Sequence, residues 1–197
     1  LKVWSGPTSY ATLALASDGK LYAWGGRGCG QLGNGLWGNA TEPVLVSNTG
    51  AFISAAMGDG FALSLASDTF IYSWGTGELG QLGNGMDALS PVRGPGDALG
   101  LSGKTLVAMA SGHQSTSGFS TEAFQLALDA GGTLYSWGAN TSGQLGNGNT
   151  LNASTLQTVA AGTLAFKAMD AGGAFALAVG GDGRAYAWGA NASGQLG

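Results

Sequence analysis

One stretch of sequence recurs four times in this chain of 197 residues. The copies read LYAWGGRGCGQLGNG from Leu21, IYSWGTGELGQLGNG from Ile71, LYSWGANTSGQLGNG from Leu134 and AYAWGANASGQLG from Ala185. Each copy joins a Trp-Gly step to a Gly-Gln-Leu-Gly turn, and a combination that returns in register is typical of repeat architectures. This motif limits the possible folds more than any other feature of the chain.

The tryptophans of the motif give the length of the repeat. Trp24, Trp74, Trp137 and Trp188 are separated by 50, 63 and 51 residues, so the unit is about fifty residues long and the third copy carries an insertion. A period near fifty fits one blade of a β-propeller. The sequence predicts a single structural unit made of four repeats, at residues 1–50, 51–103, 104–164 and 165–197, with the last repeat incomplete.

Each repeat is predicted to hold four short strands. The first two lie at Lys2–Ser5 and Ala11–Ala16 in the first repeat, and the third ends at the Trp-Gly step. Asp or Gly residues between the second and third strands, such as SDGK from Ser17, indicate hairpins. The fourth strands are expected near 43–46, 91–93 and 156–159. Leu and Ala alternate in the second strands, which favours a sheet packed on both faces, one bulky and one small.

Composition supports a folded protein with few charges. Hydrophobic residues make up 44% of the chain and charged residues only 9%, against about 25% charged in an average domain. The net charge of −4 and the seven scattered Lys and Arg residues argue against a nucleic-acid surface. No apolar run reaches the roughly 20 residues that a membrane-spanning helix needs. Cys29 is the only cysteine, so no disulfide can form within the chain.

The motif, preceded by Leu-Ala-Leu and a short Asp-Gly turn, resembles the repeat of the regulator of chromosome condensation family. The resemblance covers the whole chain and implies an all-β, β-propeller fold of four-stranded blades. Family members close a ring of seven blades, so four motifs imply an open arc or a ring completed by other residues. Because the chain begins without Met and stops inside the fourth motif, we expect it to be a piece of a longer protein.

The insertion in the third repeat is the first candidate for a functional site. It contains the only histidine, His113, in the stretch SGHQSTSGFSTEAF. Inserted loops on a rigid repeat scaffold often bind partners, so the sequence predicts a partner-binding loop. Its candidate residues are His113, Gln114, Ser115, Thr116 and Phe119. A lone histidine among Ser and Thr gives no catalytic constellation, and no catalytic residue, cofactor or metal ligand is predicted.

Two further sets of residues recur with the motif. The predicted structural residues are the tryptophans and the glutamines of the repeats, namely Trp24, Trp74, Trp137, Trp188, Gln31, Gln81, Gln144 and Gln195. Four Asn-x-Ser/Thr sequons are candidate N-glycosylation sites, at Asn39, Asn140, Asn152 and Asn191. Glycans, or burial in an assembly, would explain how so few charges keep the surface soluble.

The sequence therefore predicts a non-enzymatic scaffold that binds protein partners or further copies of itself. Two alternatives stay open. The first, implied by the resemblance, is a nucleotide-exchange regulator of a small GTPase, and the second is a secreted or surface glycoprotein that forms an extracellular filament or coat. Sequons and low charge favour an extracellular location, whereas the resemblance equally permits cytosol, nucleus or cilium.

Overall fold

The computed structural model describes residues 1–5, 10–26, 28–36, 38–46, 50–85, 103–113 and 122–197. All regular structure in these residues is β-strand. The fourteen strands are β1 (Lys2–Ser5), β2 (Ala11–Leu15), β3 (Leu21–Gly25), β4 (Ala40–Leu45), β5 (Phe52–Met57), β6 (Phe61–Ala66), β7 (Ile71–Gly75), β8 (Leu106–Gly112), β9 (Phe124–Asp129), β10 (Leu134–Gly138), β11 (Ala153–Thr158), β12 (Phe166–Ala171), β13 (Phe175–Gly180) and β14 (Ala185–Gly189).

The strands form four antiparallel sheets in chain order. The first sheet is β1 to β4, the second β5 to β7, the third β8 to β11 and the fourth β12 to β14. The predicted first, second and third strands are confirmed to within about two residues. The fourth strands β4 and β11 begin three residues earlier than predicted, at Ala40 and Ala153, because these residues pair with Gly25 and Gly138 across a register shift. The predicted strand near 91–93 lies outside the described residues.

Neighbouring sheets pack through two different faces. In β6, Leu63 and Leu65 join a core shared with Leu106 of the third sheet. Ala62 and Ala66 of the same strand instead join a core shared with Leu13 of the first sheet. Large residues therefore point to the following sheet and small ones to the preceding sheet, as the alternation predicts. The second, third and fourth sheets also contribute the Tyr and Trp of their motifs to the core on their preceding side.

A hydrogen bond from the motif tryptophan joins each pair of consecutive sheets. The indole Nε1 donates to the backbone carbonyl of the motif glutamine one repeat earlier, from Trp74 to Gln31 over 2.7 Å, from Trp137 to Gln81 over 3.0 Å and from Trp188 to Gln144 over 2.9 Å. We call this indole-to-carbonyl hydrogen bond the latch. The side chain of each motif glutamine caps its own loop, because its Oε1 atom accepts from a backbone N–H, namely that of Cys29, Leu79, Ser142 or Ser193.

The last glycine of each Gly-Gln-Leu-Gly turn makes room for the latch. A Cβ on Gly33, Gly83 or Gly146 would lie 2.7 to 2.9 Å from the indole Nε1 of the next sheet. Any larger residue at these positions would push the indole away from its acceptor. The recurrence of Gly after Leu in the motif is therefore explained by packing between sheets.

The four sheets form an open arc. Each sheet contacts the next one, through β2 with β5, β5 with β8 and β8 with β12. No substantial contact joins the described residues of the first sheet to those of the fourth. This arrangement is a partial β-propeller, as the repeats predict.

Candidate protein-interaction surface

The longer connections of every sheet lie at one end of the strands. Because the strands are antiparallel, the connection from first to second strand and the one from third to fourth strand leave from the same end. We call this the long-loop end, and its described connections include residues 58–60, 76–85, 139–152 and 172–174. The opposite end, with the Asp-containing hairpins at 16–20, 67–70, 129–133 and 181–184, is the turn end.

Loops from neighbouring sheets meet at the long-loop end. Gly60, between β5 and β6, lies against Thr76 and Cys29, and a Cβ placed on it would be 3.4 Å from the Cβ and Sγ of Cys29. Cys29 belongs to the first sheet and Gly60 to the second. In the third sheet, the hydroxyl of Thr141 donates to Glu122 over 2.5 Å. The first contact joins loops of the first and second sheets, and the second joins two loops of the third sheet.

His113 directly follows β8 at this end and is half-buried. Burial lowers the pKa of His113 below its ordinary value, and the carboxylate of Asp59 in the second sheet partly offsets this by raising it. Asp59 is only 8% exposed, and its Oδ2 atom has no hydrogen-bond partner. Two residues that lie in different repeats therefore interact electrostatically, which the sequence did not predict.

Titration of this histidine provides a direct test. We expect the imidazole of His113 to titrate with a midpoint below about 6.5, because burial disfavours its charged form. As His113 is the only histidine, one NMR signal reports it. The substitution Asp59→Asn should lower the midpoint further, whereas Glu78→Gln, at an exposed position of the same end, should leave it unchanged. A midpoint above 6.5, or one that Asp59→Asn does not move, would contradict this environment.

The rest of the predicted partner-binding loop lies outside the described residues. Gln114, Ser115, Thr116 and Phe119 fall within 114–121, whereas His113 and Glu122 flank this segment at the long-loop end. The insertion does connect the first two strands of its sheet, β8 and β9. A partner-binding role for the four residues stays a prediction.

The four sequon asparagines differ in environment. Asn140 is fully buried, and its Nδ2 donates to Asn147, Asn149 and Leu151. Its Oδ1 accepts from the backbone N–H of Leu145. Asn140 thus organises the loop that leads to β11, and this amide has no room for a glycan in the folded chain. Among the other three, Asn152 accepts from the backbone N–H of Asn140, Asn191 accepts from that of Leu196, and Asn39 is exposed.

Charge is distributed unevenly between the two ends of the sheets. All described Lys and Arg residues lie at the turn end, at positions 2, 20, 104, 167 and 184. The acidic residues Asp59, Glu78, Glu122 and Asp170 lie at or beside the long-loop end. The turn end also holds acids, because each hairpin carries an Asp. The described part of the long-loop end is therefore purely acidic.

The hairpin aspartates at the turn end have structural roles. Burial raises the pKa of Asp129, but the backbone N–H of Thr133, the hydroxyl of Tyr135 and other donors outweigh it, so the pKa is lowered overall. Asp129 accepts from Thr133 over 2.8 Å and from Tyr135 over 3.1 Å. The pKa of Asp68 is lowered mainly by the hydroxyl of Tyr72, which donates to it over 2.7 Å.

These bonds predict a loss of stability in acid. Because the folded pKa of Asp129 lies below its unfolded value, its charge stabilises the fold fully above about pH 4 and less as the pH falls through the folded pKa. Asp129→Asn should therefore cost roughly 1 kcal/mol at pH 7 and less than that at pH 2. Urea unfolding of the variant and the parent chain at both pH values measures the loss in the free energy of unfolding. An equal loss at the two pH values would show that the charge of Asp129 does not stabilise the fold.

Two kinds of feature are absent from the described residues. No group of three or more His, Cys, Asp and Glu side chains in this part of the chain is placed to hold a metal ion. No helix long and apolar enough to cross a membrane occurs among the same residues.

The fold defines a class of protein, the β-propeller built from repeated antiparallel sheets. Models of the regulator of chromosome condensation (RCC1) repeat match residues 18–65, 70–117 and 131–179, and a second model of the same repeat matches 166–195. The chain belongs to this family, which confirms the resemblance inferred from the motif.

Solved structures of similar fold support this assignment. Human WBSCR16 matches with a TM-score of 0.79 and 22% identity over 100% of this chain and 49% of that protein. Yeast RCC1 (Prp20) in its complex with Kap60 matches with a TM-score of 0.79 and 22% identity over 96% of this chain and 43% of the matched chain. Prp20p of Saccharomyces cerevisiae, characterised for binding to Gsp1p and histones, matches with a TM-score of 0.76 and 23% identity. The match covers 96% of this chain and 43% of the matched chain. The chain spans less than half the length of these proteins, and the likeness concerns the fold alone.

Proposed function

We propose that this chain is a non-enzymatic protein-interaction module, acting as one unit over residues 1–197, that binds a basic surface of a partner protein through its long-loop end. The observation that carries the proposal is the charge separation between the two ends of the sheets. Asp59, Glu78, Glu122 and Asp170 give the long-loop end a negative field that no described Lys or Arg offsets. Complementary fields steer association and select partners.

The structure of the loops also favours binding. Because the loops are anchored on sheets joined by latches, the acidic side chains are held on a rigid scaffold, and little ordering is needed on association. The similar protein Prp20p binds Gsp1p and histones, and the related Prp20 structure is a complex with Kap60. A role as a binding module is therefore compatible with what proteins of this fold do.

A cationic peptide tests the proposal. We expect a Lys- and Arg-rich peptide to bind with an affinity that falls as salt rises. The triple variant Glu78→Gln, Glu122→Gln, Asp170→Asn should weaken binding roughly tenfold and flatten the salt dependence, since each exposed charge contributes about 0.5 kcal/mol. The matched control Asp18→Asn, Asp68→Asn, Asp182→Asn removes as many charges from the turn end and should bind like the parent chain. Equal losses of affinity in the two triple variants would contradict a binding site at the long-loop end.

The exchange-regulator alternative keeps one specific support. The insertion of the third repeat connects β8 to β9, and its described flanking residues His113 and Glu122 lie at the long-loop end. Faster release of a fluorescent guanine nucleotide from a small GTPase in the presence of this chain would favour that function over simple binding. The extracellular glycoprotein alternative depends on its sequons, of which Asn39, Asn152 and Asn191 are exposed. Loss of glycan mass from natural material in Asn39→Gln would support that alternative.

A further inference from the structure

Two motif glutamines leave a buried amide nitrogen without a partner. Gln81 and Gln144 are fully buried. Their Oε1 atoms each accept from a backbone N–H of their own loop over 2.9 Å. Because a backbone N–H cannot act as an acceptor, these amides cannot turn round, and neither Nε2 atom has a hydrogen-bond partner among the described residues. Each nitrogen carries two donors, so both side chains need an acceptor.

The junction between the second and third sheets holds two further groups of this kind. Gln125 is fully buried, and its Oε1 atom accepts from the hydroxyl of Ser111 over 2.6 Å, but its Nε2 atom has no partner in the described part of the chain. Turning this amide round would only exchange the atom that is left unpaired. Asp59 is 8% exposed, and its Oδ2 atom also lacks a partner there. The junction therefore combines unpaired donors with an unpaired carboxylate oxygen.

These side chains follow one another along the junction. Gln125 lies directly opposite Ser111 on one neighbouring strand and Trp137 on the other, and opposed side chains of an antiparallel pair lie on the same face. The Trp137 indole donates to the Gln81 carbonyl of the second sheet. Asp59, also of the second sheet, interacts electrostatically with the histidine two residues beyond Ser111. Gln81 and Asp59 thus flank Gln125 at the two ends of its row.

Apolar side chains of both sheets pack at the same junction. Phe61 and Leu82 of the second sheet and Ala123 of the third form a fully buried cluster. Protein interiors leave few spaces, and those lined by polar groups hold ordered water, whereas apolar spaces stay dry. Bulk solvent does not reach the unpaired atoms, because each has less than 1 Å² of accessible surface. A partner of these atoms must therefore be held inside the junction.

We propose that the junction between the second and third sheets is a binding site for ordered water, which bridges the amide nitrogens of Gln81 and Gln125 to the carboxylate of Asp59. A buried water makes about three hydrogen bonds to groups that would otherwise be unsatisfied. The water oxygen accepts from the amides, and a water hydrogen is donated to Oδ2. The second and fourth sheets carry Ala62 and Ala176 opposite their motif tryptophans, where the third sheet carries Gln125, so the neighbouring junctions lack this donor.

A crystal structure at high resolution tests the site directly. We expect a water within about 3.2 Å of the Gln125 amide and of at least one of Gln81 Nε2 and Asp59 Oδ2. Direct hydrogen bonds among these three side chains, or a junction without water, would overturn the proposal.

Unfolding by urea provides an independent test in solution. In a Ser111→Ala background, Gln125→Met removes the amide and keeps the length of the side chain. A water bridge predicts a lower urea midpoint for the double variant than for Ser111→Ala alone, because the residues that share the water also lose a partner. An unchanged or higher midpoint, as expected of a dry and unsatisfied amide, overturns the proposal. Ser64→Ala is the control, since Ser64 Oγ is buried without a partner between Ala55 and Tyr72, and its removal should not lower the midpoint.

Discussion

Replacing Gly138 with alanine should destabilise the chain by roughly 2 to 5 kcal/mol. Gly138 follows the motif tryptophan with a φ of +104°, and a Cβ there would lie 2.5 Å from the carbonyl oxygen of Ala123. That carbonyl cannot easily move, because it accepts from the backbone N–H of Ala139 over 2.8 Å. Overpacking costs about 1 to 3 kcal/mol, and a left-handed backbone adds about 1 to 2 kcal/mol.

Gly148 provides the matched control for this substitution. Its φ of +86° is also left-handed, but no atom lies within 4 Å of its Cβ position. Gly148→Ala should therefore lose only the backbone contribution of about 1 to 2 kcal/mol. Urea unfolding of the two variants, with unchanged m-values, measures the difference. If both variants lost the same stability, the close approach of β9 and β10 at the Trp-Gly step would be wrong.

Replacing Trp137 with alanine should cost about 3 to 5 kcal/mol. The side chain is fully buried between the second and third sheets, and its removal leaves both a cavity and an unpaired carbonyl on Gln81. Trp137→Phe keeps most of the ring and should lose only about 1 to 3 kcal/mol, which corresponds to the unsatisfied acceptor. Denaturant unfolding in dilute solution measures both.

Trp24 serves as the control for the latch, since it has the same place in the motif but is only half-buried and makes no latch bond within the described part of the chain. In dilute solution Trp24→Phe should be almost neutral, and Trp24→Ala should cost less than half as much as Trp137→Ala. Comparable losses at the two positions would mean that the tryptophans stabilise their own sheet and do not join consecutive ones.

The fold could be predicted because its signals are local. Three strands of every repeat and the hairpin between β2 and β3 depend on alternation and on turn residues within about fifteen positions. The early start of β4 and β11 could not be predicted, because it depends on pairing across a long loop, from Ala40 to Gly25 and from Ala153 to Gly138. Tryptophans and glutamines of the motif form the latch, but the latch partners lie 43 to 56 positions apart in sequence.

The candidate surface was harder to predict from the sequence. His113 looked isolated because its neighbour Asp59 belongs to another repeat, and only packing of consecutive sheets brings the two together. Asn140 matched a glycosylation pattern, yet the same amide is buried and holds a loop together. The position of the described Lys and Arg residues at the turn end was detectable in principle, because each of these five could be assigned to a strand end once the strands were placed.

A crystal structure of the chain tests the joining of consecutive sheets most directly. We expect three distances between an indole Nε1 and a glutamine carbonyl, from Trp74 to Gln31, from Trp137 to Gln81 and from Trp188 to Gln144, each below about 3.2 Å. Each sheet should be rotated from the one before it about a common axis. Indoles that point into solvent, or sheets stacked face to face with parallel planes, would contradict the propeller arc and the surface derived from it.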